Sequence, residues 1–315
     1  MHISVVVPTR NRIDTLREVV PTLLAQTLDR ARYEIVIADS RSDDGTAEYL
    51  AGLRRELPPE LLRHLPGDYA SRAAARNAGA AASRAPIILF TDADIMASRD
   101  LLERHVADHV AAGERHVGVV GCELRVNSLD DYRRQLRSPE NRRPLQRPWR
   151  RRLSWLYFLT GNASLRRDDF DAVGGFDEAF TGYGHEDLEL GYRLRKSGVE
   201  IIYDRDAVNY HWHPVGYAEE IGRMELAGAS TVRFYRKHRD FEVKLKLGMT
   251  PISLGLHSLL SSAAGLRRSI ERAAIKEAAP RKNTWPFVAR QIAYQYHYLN
   301  GVKRALREPD GVKAT

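Results

Sequence analysis

The 315-residue sequence contains a single cysteine, Cys122. One thiol can form neither an internal disulfide nor a thiolate zinc cluster. No run of 18 apolar residues occurs, so no segment reads as a membrane-spanning helix. No basic stretch leading into an apolar one opens the chain. It enters a strand at once with Ile3-Ser4-Val5-Val6-Val7-Pro8, and a cytoplasmic protein is expected. There is no Gly-x-Ser-x-Gly elbow and no evident partner for the cysteine, which argues against covalent hydrolase chemistry. Residues 8–12 lack glycine, which disfavours the Gly-rich phosphate loop of a sugar nucleotidyltransferase. Helix-turn-helix, zinc-finger and RNA-binding signatures are missing, so nucleic acid is not expected as a partner. Internal repeats and low-complexity tracts are also missing.

What the chain does have is positive charge. The formal net charge is +8, with a pI of about 9.6. That balance suits an anionic ligand, an acidic acceptor or an anionic membrane surface.

The most informative stretch is Ile87-Ile88-Leu89-Phe90-Thr91-Asp92-Ala93-Asp94. A short apolar run with no polar residue before Thr91 reads as a strand buried on both faces, as in a parallel sheet. Ligands of open α/β sheets collect at the carboxyl ends of strands. Residues two apart in extended chain point the same way, so Asp92 and Asp94 can face one ligand. Carboxylate oxygens suit Mg²⁺ or Mn²⁺, which usually take one or two carboxylates plus substrate phosphates. Two solvated aspartates in a turn are the plainer alternative.

The same grammar runs through the first half. Strands are expected at 3–8, 34–39 (closing on Asp39), 61–65 and 87–94, with helices from Ile13, from Ala47 to Leu53 and from Ser71 to Ser83. Alternating strands and helices mark a mostly parallel, helix-covered sheet. In the second half a helix is expected over 99–112 and a strand over 117–126. Residues 127–152, rich in proline and arginine, are expected to be a long loop. Strands follow at 155–160, 201–203 and 207–211. A helix opens at Gly184-His185-Glu186-Asp187 and stops at Gly198. Glu186 and Asp187 in its first turn suit the helix dipole, or they carry chemistry. His211 and His213 end a strand with side chains on one face. From 215 onward the pattern is helical, over about 216–238, 253–278 and 284–306. The middle helix has leucines on one side and Arg267, Arg268, Arg272 and Lys276 on the other. Such a helix can lie on an anionic membrane, or it can pack on its own domain.

Taken together, these pieces make the chain resemble an inverting family 2 glycosyltransferase of the GT-A fold. Its second half is similar to the C-terminal segment of galactosyltransferases and to the transferase domains of bacterial chondroitin and hyaluronan polymerases. The matching pieces are residues 5–12, Asp39 with Ser42-Asp43-Asp44-Gly45-Thr46, and Ala75-Arg76-Asn77-Ala78-Gly79. They continue with Asp92-Ala93-Asp94, Thr160-Gly161-Asn162, Gly174-Gly175-Phe176-Asp177-Glu178, residues 184–191 and Tyr210-His211. Ser40 and Arg41 stand where the family usually has Asp and Gly, and His185 where it often has Gly or Trp. Residues 215–315 match nothing in that pattern.

The resemblance implies an α/β fold, with a mixed, mostly parallel sheet flanked by helices and a helical C-terminal extension. Residues 1–214 would form the transferase domain, with 1–126 binding nucleotide sugar and 127–214 serving the acceptor; 215–315 would be the extension. The resemblance further implies that Asp39 accepts the uracil N–H and that Pro8, Thr9 and Arg10 line the base pocket. Arg76 would reach the nucleotide, and Asp92 the ribose or a metal-bound water. Gly161 and Asn162 belong with the donor-binding positions. Asp94 and His211 would hold Mn²⁺ or Mg²⁺, with His213 as the competing ligand. Asp187 would be the general base, and Glu186 would bind the acceptor. The implied reaction moves a sugar from a UDP-sugar to a hydroxyl of a glycan, lipid-linked or natural-product acceptor. A sugar nucleotidyltransferase and a non-catalytic nucleotide-sugar scaffold are the alternatives. Peripheral contact with the inner face of an anionic membrane is a further expectation.

Overall fold

The computed structural model describes residues 1–315 except 139–141, 143, 147, 149, 213, 276–283 and 309–315. Among the described residues the chain divides into two compact units. One comprises residues 1–181 and 186–214, the other residues 182–185 and 215–315.

The first unit is built on uninterrupted apolar strands. β1 (Ile3–Thr9), β2 (Tyr33–Ser40), β3 (Leu62–Gly67) and β4 (Ile87–Phe90) pair in parallel in the order β3-β2-β1-β4. Every residue of β1 and β4 is buried, as expected for strands covered on both faces. β5 (Ile95–Ala97), β6 (Val117–Val126), β7 (Ala163–Arg166) and β8 (Glu200–Trp212) complete an eight-stranded sheet of order β3-β2-β1-β4-β7-β6-β8-β5. β7 runs antiparallel to both β4 and β6, and β5 antiparallel to β8, so the sheet is mixed and mostly parallel. The helices of this unit are α1 (Ile13–Leu24), α2 (Thr46–Glu56), α3 (Arg72–Ala82), α4 (Leu101–Ala112), α5 (Leu129–Arg137), α6 (Arg167–Ala172) and α7 (Glu186–Lys196). Gly79 lets α3 lie close on β1, where an added Cβ would meet Val6 Cγ1 at 2.5 Å.

Four sequence expectations change. Trp155–Tyr157 form a 3-10 turn, and the strand lies later, at β7. Trp155 and Phe158 are buried, with Trp155 edge-on to Tyr192 at 5.6 Å, so tertiary packing overrides their strand propensity. Residues 127–152 contain a helix, α5. Ser128 caps it by accepting from Asp131 N (3.1 Å), with Asp130 and Asp131 in the first turn and Arg134 and Arg137 in the last. Capping and charge placement define that helix; three apolar positions are too few to show its period. The two strands expected at 201–211 are one. The charged triplet Asp204-Arg205-Asp206 is absorbed where the β6–β8 register jumps between Gly121 and Cys122, as a bulge absorbs extra residues. The helix expected over 253–278 is two helices, broken at Ala263.

The second unit holds α8 (Tyr217–His238), α9 (Phe241–Lys246), α10 (Pro251–Ser262), α11 (Ala264–Ile275) and α12 (Trp285–Arg307). Small residues let α8 and α12 meet backbone to backbone. A Cβ on Gly228 would overlap the carbonyl oxygen of Tyr298, and one on Gly301 that of Glu225. Gly228→Ala is therefore expected to destabilise this unit by about 1–3 kcal/mol through overpacking, despite the ~1 kcal/mol that alanine gains in helix propensity. Chemical denaturation reads the change, and parental stability would contradict the close crossing. No helix among the described residues is long and apolar enough to cross a membrane.

Candidate active site

Parallel pairing sets Thr9 opposite Asp39 at the carboxyl ends of β1 and β2. The loops that follow are tied together. Asn11 N donates to Ser42 Oγ (2.9 Å), Asp43 N to Asn11 Oδ1 (3.0 Å) and Ile13 N to Asp44 Oδ2 (2.8 Å). Asp39 is 2% exposed. Its Oδ1 accepts from Ser42 N (3.1 Å) and Ser42 Oγ (2.5 Å), and its Oδ2 lies 3.0 Å from His64 Nε2. Each carboxylate oxygen has lone-pair capacity for a further donor. Beside it, Pro8 and Thr9 are buried, Thr9 Oγ1 without a hydrogen-bond partner, while Arg10 is exposed. A buried orphan hydroxyl next to a fixed carboxylate suits a polar ligand edge. His64 was not anticipated; its signal was a histidine inside a short strand that ends beside the Asp39 loop. At the departing positions, Ser40 Oγ donates to Tyr69 O (3.0 Å), and Arg41, at φ 52°, pairs with Asp68 at 2.9 Å.

The chain turns after Phe90, so Asp92 and Asp94 are not in one extended strand. Ile95 N closes the turn onto Asp92 O (3.2 Å). Asp92 Oδ1 accepts from Arg76 Nη2 at 2.6 Å. Arg76 Nη1 donates to Glu186 Oε1 at 3.1 Å, Arg72 lies 3.4 Å from the same oxygen, and the Arg76 guanidinium stands over the Phe176 ring at 5.6 Å. Burial opposes the charge on Arg76, but Asp92, Glu186 and Asp187 outweigh it. Arg76 is 2% exposed. It is the buried cation that gathers carboxylates from β4 and α7.

Those carboxylates part in character. Burial raises the pKa of Glu186, but Arg72 and Arg76 outweigh it and hold the group ionised. Glu186 is 4% exposed; its Oε1 faces both arginines, while its Oε2 is buried without a hydrogen-bond partner. Asp187 is half-buried at the start of α7, and its Oδ1 accepts from Leu188 N (2.7 Å). The helix start favours its ionised form. Burial and the adjacent Glu186 charge win, pushing its pKa up to about 7.

A second cluster joins β4, β6 and β8. His211 Nδ1 lies 2.8 Å from Glu123 Oε1, and its Nε2 3.6 Å from Asp94 Oδ1. Burial lowers the His211 pKa, but the flanking Asp94 and Glu123 carboxylates more than reverse this, raising it to about 10. Two carboxylates thus favour a cation at this place, and His211 would give up a ring proton to ligate a metal there. If Nδ1–H donates to Glu123, Nε2 is left toward Asp94, the orientation in which a carboxylate fixes a metal-ligating histidine. No group of three or more His, Cys, Asp or Glu with metal-holding geometry occurs among the described residues. Asp94 and His211 would supply two ligands, which fits an ion completed by phosphate and water. His213 lies outside the described residues. Glu123 was overlooked, although a carboxylate within a buried apolar strand was its signal.

Gly161 lies against this cluster, and Asn162 is buried next to it in the chain. A Cβ on Gly161 would overlap Glu123 Oε2. The Gly161 carbonyl accepts from Thr91 Oγ1 (3.1 Å) and Asn209 Nδ2 (2.7 Å). Asn162 is 2% exposed; its Nδ2 donates to Ala207 O (2.9 Å), which leaves Oδ1 to accept from His105 Nε2 (2.9 Å). Burial lowers the pKa of His105 to about 4, so this support is neutral at pH 7. Asn77 clamps the glycine turn by bonding Phe176 N and O and Glu178 Oε1, at 2.8, 2.9 and 2.9 Å.

The sequence profile of glycosyl transferase family 2 matches residues 4–174. A second profile, described as the N-terminal domain of galactosyltransferase, matches residues 145–211. The chain is 32% identical over 266 residues to validoxylamine A glucosyltransferase of Streptomyces hygroscopicus subsp. jinggangensis (strain 5008), covering 75% of this chain and 61% of that protein. It is 25% identical over 281 residues to Escherichia coli chondroitin synthase, covering 76% and 40%. It thus spans less than two thirds of the length of these relatives. Among solved structures it is similar to the mannosyltransferase PcManGT from Pyrobaculum calidifontis in complex with GDP-Man and Mn²⁺, with a TM-score of 0.63 and 19% identity, over 97% of this chain and 87% of that one. S. aureus TarS 1–349 in complex with UDP matches with a TM-score of 0.55 and 16% identity, over 98% and 92%. At such identities the likeness speaks for the fold, which is GT-A. With strand-end carboxylates in the family's order and a family profile spanning more than half of its length, the chain belongs to glycosyl transferase family 2.

Proposed function

We propose that this chain transfers a sugar from a UDP-sugar to a hydroxyl acceptor, with inversion at the anomeric carbon and dependence on Mn²⁺ or Mg²⁺. The observation that carries this reading is the Asp94–His211–Glu123 cluster, a cation-favouring place two residues along the chain from the Asp92–Arg76 anchor. The similar solved structures are in keeping with it, TarS holding UDP and the mannosyltransferase GDP-Man with Mn²⁺.

In this reading Asp39 accepts an N–H of the base, with Thr9 Oγ1 available beside it. A divalent cation held by Asp94 and His211 would offset charge that builds on the departing diphosphate. Asp187 takes the proton of the acceptor hydroxyl. That oxygen bonds to the anomeric carbon as the carbon–oxygen bond to diphosphate breaks, and the bonding pair leaves with the diphosphate. Arg76 acts at one remove, fixing Asp92 and the start of α7. The acceptor class is a glycan, a lipid-linked sugar or a natural product.

Donor turnover across UDP-, GDP- and dTDP-sugars, with Mn²⁺ or with chelator, tests the reading. Activity with a UDP-sugar that is lost in chelator and restored by Mn²⁺ is the expected result. Full activity in chelator would remove the metal. Release of pyrophosphate from a nucleoside triphosphate and a sugar phosphate would identify a nucleotidyltransferase, and donor binding without turnover a scaffold. Asp39→Ala should weaken UDP binding by about 1–3 kcal/mol, the cost of an unmet buried hydrogen bond, and calorimetry reads it. Gly161→Ala should push Glu123 off His211 and lower Mn²⁺ affinity roughly 10–100-fold, as loss of a supporting carboxylate does. Unchanged Mn²⁺ titration of that variant would deny Glu123 its role.

A further inference from the structure

The surplus positive charge sits in one part of the chain. Residues 215–315 contain eighteen Lys and Arg against nine Asp and Glu, whereas residues 1–214 contain 31 against 32. The helical unit therefore carries all of the excess.

Within that unit α10 has no charged residue. Its inner side is packed. Leu254 lies against the cluster of Val232, Met249, Leu299 and Val302, Leu260 against that of Ile270, Ala274 and Ala293, and His257 bonds Asn300 at 2.7 Å. The outer side carries Ile252, Leu256 and Leu259, exposed by 77, 63 and 69%. These positions are four and three apart, so they form one stripe. Pro251, Gly255, Ser258 and Ser262, also exposed, add no charge. The neighbouring helices continue both features. α9 exposes Phe241 by 73% and Leu245 by 54%, and α11 exposes Leu266 by 57%. Lys246, Arg268 and Arg272 on the same two helices are exposed as well. A single exposed leucine needs no explanation. An exposed helix side that has no charge and carries an aliphatic stripe inverts the usual amphipathic arrangement.

We propose that this face is a docking surface for an anionic lipid bilayer, with the α10 stripe entering the headgroup boundary and the cations of α9 and α11 meeting lipid phosphates. Apolar insertion combined with basic residues is what holds a helix in that plane. Charge decides against a second copy of the chain as occupant, because such a pair would bring two surpluses of nine positive charges together. The inference stands apart from the sugar-transfer reading, since none of these residues belongs to the site described above.

The test is flotation of the full chain with phosphatidylcholine vesicles and with vesicles in which part of that lipid is phosphatidylglycerol. Binding to the anionic vesicles alone, weakened by salt, is expected. Combined Ile252→Ser, Leu256→Ser and Leu259→Ser substitutions should lower that binding on the order of 10²-fold or more, from the apolar area withdrawn. Arg268→Glu with Arg272→Glu should lower it by roughly fivefold or more per site, since each cation near such a surface contributes about that factor. Both variants should keep the parental melting temperature and donor turnover. Equal flotation of the parent and the triple-serine variant would overturn the proposal. So would a parent that fails to bind vesicles but self-associates through residues whose serine substitution leaves it monomeric.

Discussion

Replacing Asp187 by asparagine should cut turnover by about 10²–10⁴-fold, the usual contribution of a general base, while donor affinity stays near the parental value. In the proposed reaction the carboxylate acts on the acceptor proton, so its loss would fall in kcat and not in donor binding. The structure adds a pH signature. Burial and the Glu186 charge lift the Asp187 pKa to about 7, and a base works only when deprotonated. Turnover should therefore rise with pH through that value and fall away below it. Glu186→Gln removes the like charge and leaves Arg72 and Arg76 with fewer anions to satisfy, and both changes lower the Asp187 pKa. The acid limb of the profile should move to lower pH in that variant. Near-normal turnover in Asp187→Asn would overturn the assignment. An acid limb that does not move in Glu186→Gln would mean that another group sets it.

Arg76→Met is expected to be nearly as damaging for a different reason. The guanidinium is buried between Asp92 and Glu186, at 2.6 and 3.1 Å, and acts on Asp187 as well. Removing one partner of a buried ion pair typically costs about 3–5 kcal/mol, because the remaining charge is left uncompensated. Here carboxylates on both sides are abandoned. Arg76→Lys should rescue only part of the loss, since one ammonium cannot reproduce a fork aimed at two anions. Urea denaturation measures the stability change. An Arg76→Met variant within about 1 kcal/mol of the parent would show that the carboxylates re-pair or take up protons at little cost.

Much of the architecture could be read directly from residue order. Uninterrupted apolar runs such as Val5-Val6-Val7 and Ile87-Ile88-Leu89-Phe90 report parallel strands, because only strands covered on both faces tolerate them. The polar residues closing such runs report a ligand edge, because strand ends are where backbone and side chains face solvent. Asp39, Asp92 and Asp94 came from that logic, and Asp187 and His211 from the family's order. The placement of β7 and α5 did not. β7 is selected by two flanking strands that accept it, and α5 by a serine cap and end charges with little apolar period.

The chain order by itself determined which residues could do chemistry here: carboxylates at the ends of two strands, an acidic pair at a helix start and a histidine late in the sheet. It could not determine which of them are free to act. Arg76 and Glu186 are 110 residues apart and Glu123 and His211 are 88 apart, so their pairing exists only once the sheet is assembled. That assembly buries Arg76, Asn162 and Glu186 and brings Glu123 against His211. It leaves Asp187, of the two carboxylates opening α7, as the one poised to exchange a proton near neutrality. The physical reason is that burial and neighbouring charge set what an ionisable group can do, and both are properties of the three-dimensional surroundings and not of position along the chain.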